Sequence, residues 1–231
     1  MERYCETEST RDVLDVLRAL PSMGGLAVIC GPHGVGKTVA VRAAAETLPN
    51  VRRLRLRPAA AGASPRAFFR GVAERLGVTV ERSAGVDDLA TAIETLVRRD
   101  GLLLVIDQGE RMPGCWLPHY EYLADELGHL VVVGAPTLVE RVACDEGLSG
   151  RVQLMVQATP VDLMQAARYY AEEFDSDWVR QAHEDTGGIW RRMAGLVKAE
   201  RMHSAALGRS TLEATAADAR TVAARFLLRA A

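Results

Sequence analysis

The sequence has 231 residues, of which 48% are hydrophobic, and a formal net charge of -2 at pH 7. This length suffices for one α/β core and a small additional domain. The nearly balanced charge excludes attraction to nucleic acid by a global positive field, so any such binding needs a local basic patch.

No stretch of the sequence approaches membrane-spanning length, and the first residues, Met1-Glu-Arg-Tyr-Cys-Glu6, do not resemble a signal peptide. The four cysteines form no C-x-x-C pair, which predicts free thiols in a reducing compartment. We therefore expect a cytoplasmic protein that does not bind membranes. The cysteines are Cys5, Cys30, Cys115 and Cys144.

The first predicted element is a helix that Ser9 or Thr10 can cap and that runs to about Leu20. Pro21 and Gly24-Gly25 are expected to end it. Its apolar face consists of Val13, Leu14, Leu17 and Leu20.

A short apolar run beginning at Leu26 breaks into a glycine-rich turn and leads into a helix. The turn, Gly31 to Thr38, has the form G-x-x-x-x-G-K-[ST], which is typical of a phosphate-binding loop. Its glycines allow backbone angles at which consecutive N–H groups face a polyphosphate, and the helix adds its N-terminal dipole. The expected nucleotide-binding residues are Gly31, Pro32, His33, Gly34, Val35, Gly36, Lys37, Thr38 and Val39.

Lys37 and Thr38 are the two side chains of this loop with distinct chemistry. Lys37 can neutralise the β- and γ-phosphates, and the Thr38 hydroxyl is placed to ligate Mg²⁺. The sequence contains only two lysines, Lys37 and Lys198, against many arginines. Either a coding bias produced the arginine excess, or lysine was kept where a point charge on phosphate is needed.

The next segment, Val51 to Arg57, alternates arginine with leucine from Arg53, which predicts a strand with one face in the core. We interpret its arginines as a solvated strand face. Ser64-Pro65 then begins a helix that extends to about Leu76, and another helix is predicted from Val86 to Arg99.

Leu102 to Ile106 is a continuous apolar run that ends in Asp107. A central parallel strand has this pattern where its carboxyl end meets a ligand. Because the run follows a phosphate-binding loop within an α/β alternation, Asp107 is the expected second-sphere partner of the magnesium ion.

Alternating helices and strands continue from there, which predicts a parallel, doubly wound sheet with the nucleotide at its carboxyl edge. The pattern predicts a helix over 120–127, a strand over 130–133, a helix over 138–146 and a strand over 152–156.

From Pro160 onward every predicted element is a helix. We expect helices near 161–172, 177–184, 189–207 and 211–228. The predicted domains are an α/β nucleotide-binding domain, residues 1–159, and an all-helical lid, residues 160–231.

Four segments together resemble the AAA+ ATPases, and within them the DNA-transposition ATPases of the phage Mu type. These segments are Cys5–Val13, Gly31–Thr38, Val131–Leu138 and Thr186–Arg191. The resemblance implies that Lys37 and Thr38 bind ATP and Mg²⁺, with Asp107 beside the metal.

The same resemblance implies further catalytic residues. Thr137, at the end of the fourth strand, corresponds to the first sensor, and Arg191 to the second sensor on the lid. Arg151 corresponds to an arginine finger that completes the site of a neighbouring subunit, with Arg141 as the substitute. A surface position for Arg191 is the competing interpretation.

Gln108 departs from the family, which normally has glutamate directly after the metal-binding aspartate. A neutral amide cannot accept the proton of the attacking water. Either the protein hydrolyses ATP weakly, with Glu110 replacing the acid, or a glutamate was exchanged to trap the ATP-bound form. We expect weak or trapped ATP hydrolysis.

The resemblance implies a protein that assembles with ATP into a helical filament or ring on duplex DNA and delivers this target to a transposase. The alternative is an AAA+ ATPase that acts on a protein partner, as a secretion-type or replication-loading factor. The expected DNA-facing residues are Arg57, Arg66, Arg70 and Arg82.

Overall fold

A computed structural model describes residues 7–56 and 64–226 of the chain. The chain divides into two compact units. The larger unit comprises Glu8–Gly31 and Lys37–Ala158, and the smaller unit includes Pro32–Gly36 and the chain from Thr159 onward. Arg57 and Cys5 lie outside the described residues.

The described part of the larger unit contains the strands β1 Gly25–Cys30, β2 Val51–Leu54, β3 Leu103–Asp107, β4 His129–Val133 and β5 Val152–Gln157. They form one sheet in the order β2-β3-β4-β1-β5, with every neighbouring pair parallel. This arrangement confirms the predicted doubly wound parallel sheet.

Helices cover both faces of this sheet. The helices of this unit are α1 Glu8–Met23, α2 Lys37–Thr47, α3 Pro65–Leu76, α4 Val86–Asp100, α5 Leu117–Leu127, α6 Thr137–Ala143 and α7 Glu146–Ser149. Successive residues of a strand face opposite sides, so Ala27 and Ile29 pack with α1 and α2, whereas Leu26 and Val28 pack with α3 to α6.

The strand register brings three chain segments to one edge of the sheet. Asp107, the last residue of β3, lies beside Val133 of β4, and Val133 lies beside Ile29 of β1. Two residues after Ile29 the phosphate-binding loop begins at Gly31. The expected metal ligand and Gly31, the first residue of the expected phosphate loop, therefore share the carboxyl edge of the sheet.

Some predicted helix boundaries in the larger unit differ from the structure. Pro21 lies inside α1, which continues to Met23, because a proline in the last turn removes one hydrogen bond while its fixed φ remains helical. Gly24, with a φ of 75°, follows the last residue of the helix, as expected of a left-handed C-cap. The predicted helix over 138–146 is two helices, because the Asp145 carboxylate accepts a hydrogen bond from Leu148 N and caps the second.

The strand β2 ends at Leu54 and not at Arg57. It pairs with β3 alone, and Leu54 lies opposite Ile106, the residue before the end of β3. The partner strand β3 extends only one residue further, to Asp107. The backbone after Leu54 therefore has almost no strand left to pair with, and it leaves the sheet. In contrast, the helix predicted from Ser64-Pro65 is confirmed, with the Ser64 hydroxyl accepting a hydrogen bond from Ala67 N.

The smaller unit is helical throughout its described regular elements, and its core includes Trp178, Val179, Met193 and Leu196. Its helices are α8 Leu163–Tyr170, α9 Ser176–Thr186, α10 Trp190–Ala206 and α11 Ala216–Phe226, with a 3-10 turn over Thr211–Glu213. No helix among residues 7–56 and 64–226 has the length and apolar character needed to cross a membrane.

A fully buried carboxylate, that of Glu200, joins the helices of this unit. It accepts hydrogen bonds from Trp178 Nε1 at 3.3 Å and Ser204 Oγ at 2.9 Å. Arg209 Nη2 lies 3.4 Å from Glu200 Oε1 and 2.9 Å from Asp218 Oδ1, and its hydrogen bond lowers the pKa of Asp218. The buried charge is therefore compensated.

We predict that Glu200→Ala lowers the free energy of unfolding by about 2–4 kcal/mol, because it leaves the indole N–H of Trp178 without an acceptor and removes a partner of Arg209. Glu200→Gln should cost less than half as much, since it preserves an acceptor and the volume. Urea denaturation of the full chain measures both. Glu213→Ala, at an exposed position, is the control, and an equal loss for all three variants would contradict the prediction.

Candidate nucleotide site

The phosphate-binding loop needs glycine at its first position for two geometric reasons. Gly31 has a φ of 151°. A Cβ at this residue would lie 2.3 Å from the carbonyl oxygen of Ala158, which follows β5. Ala158 N in turn donates to Cys30 O at 2.7 Å. The turn out of β1 is thus held directly against the end of β5.

Lys37 is the first residue of α2, and its side chain reaches back to Gly31, the first residue of the loop. Its Nζ donates to Gly31 O at 2.6 Å. The ammonium group therefore lies beside the turn and at the N-terminus of a helix, where an anion is favoured. Burial raises the pKa of the Cys30 thiol, and the charge of Lys37 opposes this shift.

Thr38 contacts Asp107, although 69 positions separate them in the chain. The Thr38 hydroxyl lies 3.2 Å from Oδ1 and 3.0 Å from Oδ2 of Asp107. Asp107 is 2% exposed, so the carboxylate is shielded from water. A hydroxyl and a carboxylate in contact form the hard oxygen set that Mg²⁺ prefers, with phosphate oxygens and water as its other ligands.

The two residues fit a magnesium ion bound together with a nucleotide. Among residues 7–56 and 64–226 no group of three or more His, Cys, Asp and Glu side chains could hold a metal. A Mg²⁺ ion needs only one or two protein ligands when a phosphate supplies the rest.

Two arginines from β2 and the residues after it also reach this edge, which sequence reasoning missed. Arg53 Nε lies 3.0 Å from Asp107 Oδ2, and Arg55 Nε lies 3.1 Å from Gln108 Oε1. The interpretation of Arg53 as part of a solvated face was wrong. Strand alternation gives the face of a side chain, but it does not reveal a partner on the neighbouring strand.

Gln108 is the one non-glycine residue with positive φ among the described residues, at φ 65° and ψ 41°. The chain turns sharply here into a 3-10 helix, Gly109–Arg111. Gly109 packs on β4 so closely that a Cβ would lie 2.4 Å from Val132 Cγ1. The left-handed conformation at Gln108 lets the backbone make this approach.

Glu110 lies in the same 3-10 helix. Its Oε2 is buried, without a hydrogen-bond partner in the described part of the chain, and a Cβ on Gly134 would lie 2.8 Å from it. Gly134 N donates to Ile29 O, so Glu110 lies near the carboxyl ends of β1 and β4. Its role as a substitute acid stays a prediction.

Thr137 and Arg191, the predicted sensors, occupy different surroundings. Thr137 is exposed and begins α6, four positions after the end of β4 at Val133. Arg191 belongs to the smaller unit, as does Gly34 of the phosphate loop. Arg191 N donates to Gly34 O at 3.0 Å, and a Cβ on Gly34 would lie 2.9 Å from Arg191 Cβ.

Arg151 and Arg141, the candidates for an arginine finger, both have partners within the larger unit. Arg151 Nε lies 2.5 Å from Asp125 Oδ1 and its Nη1 lies 2.9 Å from Glu121 Oε1. Its hydrogen bond lowers the pKa of Asp125. Arg141 Nη1 donates to Glu110 O at 2.8 Å. A finger role for either arginine stays a prediction.

Three of the predicted DNA-facing arginines lie together. Arg66 Nη2 donates to Arg82 O at 2.5 Å, and Arg70 Nη2 donates to the carbonyl oxygens of Glu81 and Arg82, both at 3.2 Å. Arg66 and Arg82 are exposed and Arg70 is half-buried. The guanidinium groups of Arg66 and Arg70, both on α3, therefore reach the same main-chain segment at Glu81 and Arg82.

Comparisons with solved structures agree with this architecture. Cdc6p of Pyrobaculum aerophilum has a TM-score of 0.66 at 17% identity, with 90% of this chain and 66% of that chain covered. The ADPNP–ADP complexes of the Aeropyrum pernix ORC2 protein give 0.69 at 15% identity, with 97% and 70% covered. The ORC1 protein of Aeropyrum pernix in complex with DNA gives 0.64 at 19% identity, with 94% and 64% covered.

At these identities the likeness concerns the fold, and this chain spans about two thirds of the length of those proteins. No curated protein sequence matches it. The sequence does match the AAA domain family over residues 22–142. This match covers more than half of the chain and contains both the phosphate-binding loop and Asp107. The protein therefore belongs to the AAA domain family, whose AAA+ fold the sequence analysis predicted.

Proposed function

We propose that the protein is an ATPase that binds ATP with Mg²⁺ and, in its ATP-bound form, binds duplex DNA as an oligomer. The observation that carries the proposal is the contact of Thr38 with Asp107 next to Lys37 at the phosphate-binding loop. The ADPNP–ADP complexes of the structurally similar ORC2 protein support nucleotide binding in this fold.

Each side chain of the proposed site has a different role in nucleotide binding. Lys37 would exchange its contact with Gly31 O for phosphate oxygens, and the N–H groups of the loop would donate to the same anion. Thr38 and Asp107 would hold Mg²⁺. The ion would offset phosphate charge and orient the triphosphate. Gln108 cannot accept a proton from water, so hydrolysis would be slow.

The arginine surface of Arg66, Arg70 and Arg82 is the proposed contact with DNA. Each guanidinium has five N–H groups, so an arginine that donates to a backbone carbonyl keeps donors for a phosphate. Such contacts bind the DNA backbone without reading sequence. The ORC1 protein in complex with DNA supports DNA binding by this fold.

The proposal extends to the domain organisation, the assembly of subunits and the delivery of DNA to a transposase. We propose that residues 1–159 form the nucleotide-binding domain and 160–231 a lid that contributes Arg191. Arg151 would complete the site of the next subunit, so that ATP controls formation of a filament or ring. Delivery of DNA to a transposase is supported by the sequence resemblance alone.

Lys37→Ala should weaken binding of a fluorescent ATP analogue in the presence of Mg²⁺ by about 10- to 100-fold, because it removes one charge-assisted contact with phosphate. Lys198→Ala is the matched control, since it removes an exposed lysine from α10. Equal affinities of both variants and the parent would contradict the proposed site.

The variant with Arg66→Gln and Arg70→Gln should lose at least tenfold in affinity for non-specific duplex DNA at saturating ATP. The slope of its log affinity against log salt concentration should fall by the amount expected for about two lost phosphate contacts. Arg75→Gln is the control for charge on the same helix. Fluorescence anisotropy measures binding, and electron microscopy shows whether ATP and DNA produce oligomers.

Two results would contradict the DNA proposal. One is a parent protein that shows no ATP-dependent binding to duplex DNA at low salt. The other is an Arg75→Gln loss equal to that of the double variant. The alternative, an AAA+ ATPase acting on a protein partner, predicts no ATP-dependent DNA affinity and a co-purifying protein.

Gln108→Glu should raise the single-turnover rate of ATP hydrolysis by about 10²- to 10⁴-fold with little change in ATP affinity, because a carboxylate can accept the proton. Glu110→Gln, made in the parent sequence, tests the substitute acid and should abolish any residual hydrolysis if Glu110 supplies it. Equal rates with and without Gln108→Glu would remove Gln108 from the explanation of weak hydrolysis.

A further inference from the structure

The contact between Arg53 and Asp107 places a permanent positive charge on the expected magnesium ligand. Arg53 Nε lies 3.0 Å from Asp107 Oδ2, the same oxygen that lies 3.0 Å from the Thr38 hydroxyl. The Asp107 side chain is 3% exposed and that of Arg53 is 25% exposed. The ion pair is therefore only partly screened by water.

A cation held by Thr38 and Asp107 would lie within a few ångströms of this guanidinium. Two positive charges at that separation repel each other, and they also compete for the lone pairs of one carboxylate. Arginine keeps its charge throughout the accessible pH range, so deprotonation cannot relieve the conflict. Either the side chain moves or the cation binds more weakly.

The position of Arg53 allows it to move. Among the described residues β2 is an edge strand that pairs only with β3. Arg53 lies opposite Val105 and reaches along β3 to Asp107, and it is half-buried with access to solvent. Its withdrawal would break one ion pair without disturbing the ladder between β2 and β3.

We infer that Arg53 and a divalent cation compete for the Asp107 carboxylate, so that Arg53 sets the Mg²⁺ concentration at which the protein binds nucleotide. When no cation is bound, Arg53 neutralises the Asp107 carboxylate and holds it in position. The same contact lowers the affinity of the site for the cation. The inference rests on the proposed nucleotide site.

The experiment is a Mg²⁺ titration of binding of a fluorescent ATP analogue to the full chain. Arg53→Gln should lower the Mg²⁺ midpoint by about 5-fold or more, the effect of removing a like charge a few ångströms away. Arg53→Lys keeps the charge and should keep the midpoint within about 2-fold of the parent. Arg52→Gln is the control, because Arg52 donates to the carbonyl oxygens of Pro49 and Val51 instead of a carboxylate.

A second measurement uses thermal unfolding at a fixed concentration of ATP. Added Mg²⁺ should raise the thermal midpoint of unfolding of Arg53→Gln at lower Mg²⁺ concentrations than it does for the parent or Arg52→Gln, because Asp107 then lacks its cationic partner. Circular dichroism before heating confirms that each variant is folded.

The outcomes separate this inference from the proposed function. A parent that binds no nucleotide at any Mg²⁺ concentration overturns the proposed function. A parent that binds, with an unchanged midpoint in Arg53→Gln, overturns only the inference. Weaker nucleotide binding by Arg53→Gln both with and without Mg²⁺ also overturns it, since Arg53 would then be a phosphate ligand.

Discussion

The hydrogen bond between Thr38 and Asp107 depends on the register of three parallel strands. Asp107 lies beside Val133, and Val133 lies beside Ile29, so the ends of β3, β4 and β1 are level. A one-residue slip would turn Asp107 to the other face of the sheet. The alternating packing of Ala27 and Leu26 on opposite faces opposes such a slip. The apolar core thus fixes the geometry of the polar site.

The sequence predicted the parts of the protein whose signals are local. The phosphate-binding loop, the Ser64-Pro65 helix start and the apolar strand ending in Asp107 each depend on neighbouring residues, and each was correctly placed. The end of β2 depends on how far β3 extends beside it, and the contact of Arg53 with Asp107 spans 54 positions in the chain. A single sequence contains no direct sign of either.

The surroundings of Glu110 likewise depend on distant segments of the chain, and the sequence did not predict them. From the sequence, Glu110 was a carboxylate near a helix start. In the structure Gly134, which follows β4, lies against its carboxylate, and Arg141 of α6 donates to its carbonyl oxygen. Likewise, the main-chain contact of Arg191 with Gly34 joins segments that are far apart in the chain. Long-range packing decides these environments, and local periodicity does not encode it.

The left-handed backbone of Gln108 has a consequence for how the protein can evolve. A non-glycine residue in this conformation costs about 1 kcal/mol, which glycine would avoid. The chain accepts this penalty and retains a long amide side chain in contact with Arg55. Gln108→Gly would therefore remove this strain and raise the thermal stability of the chain, and it would also remove the contact with Arg55.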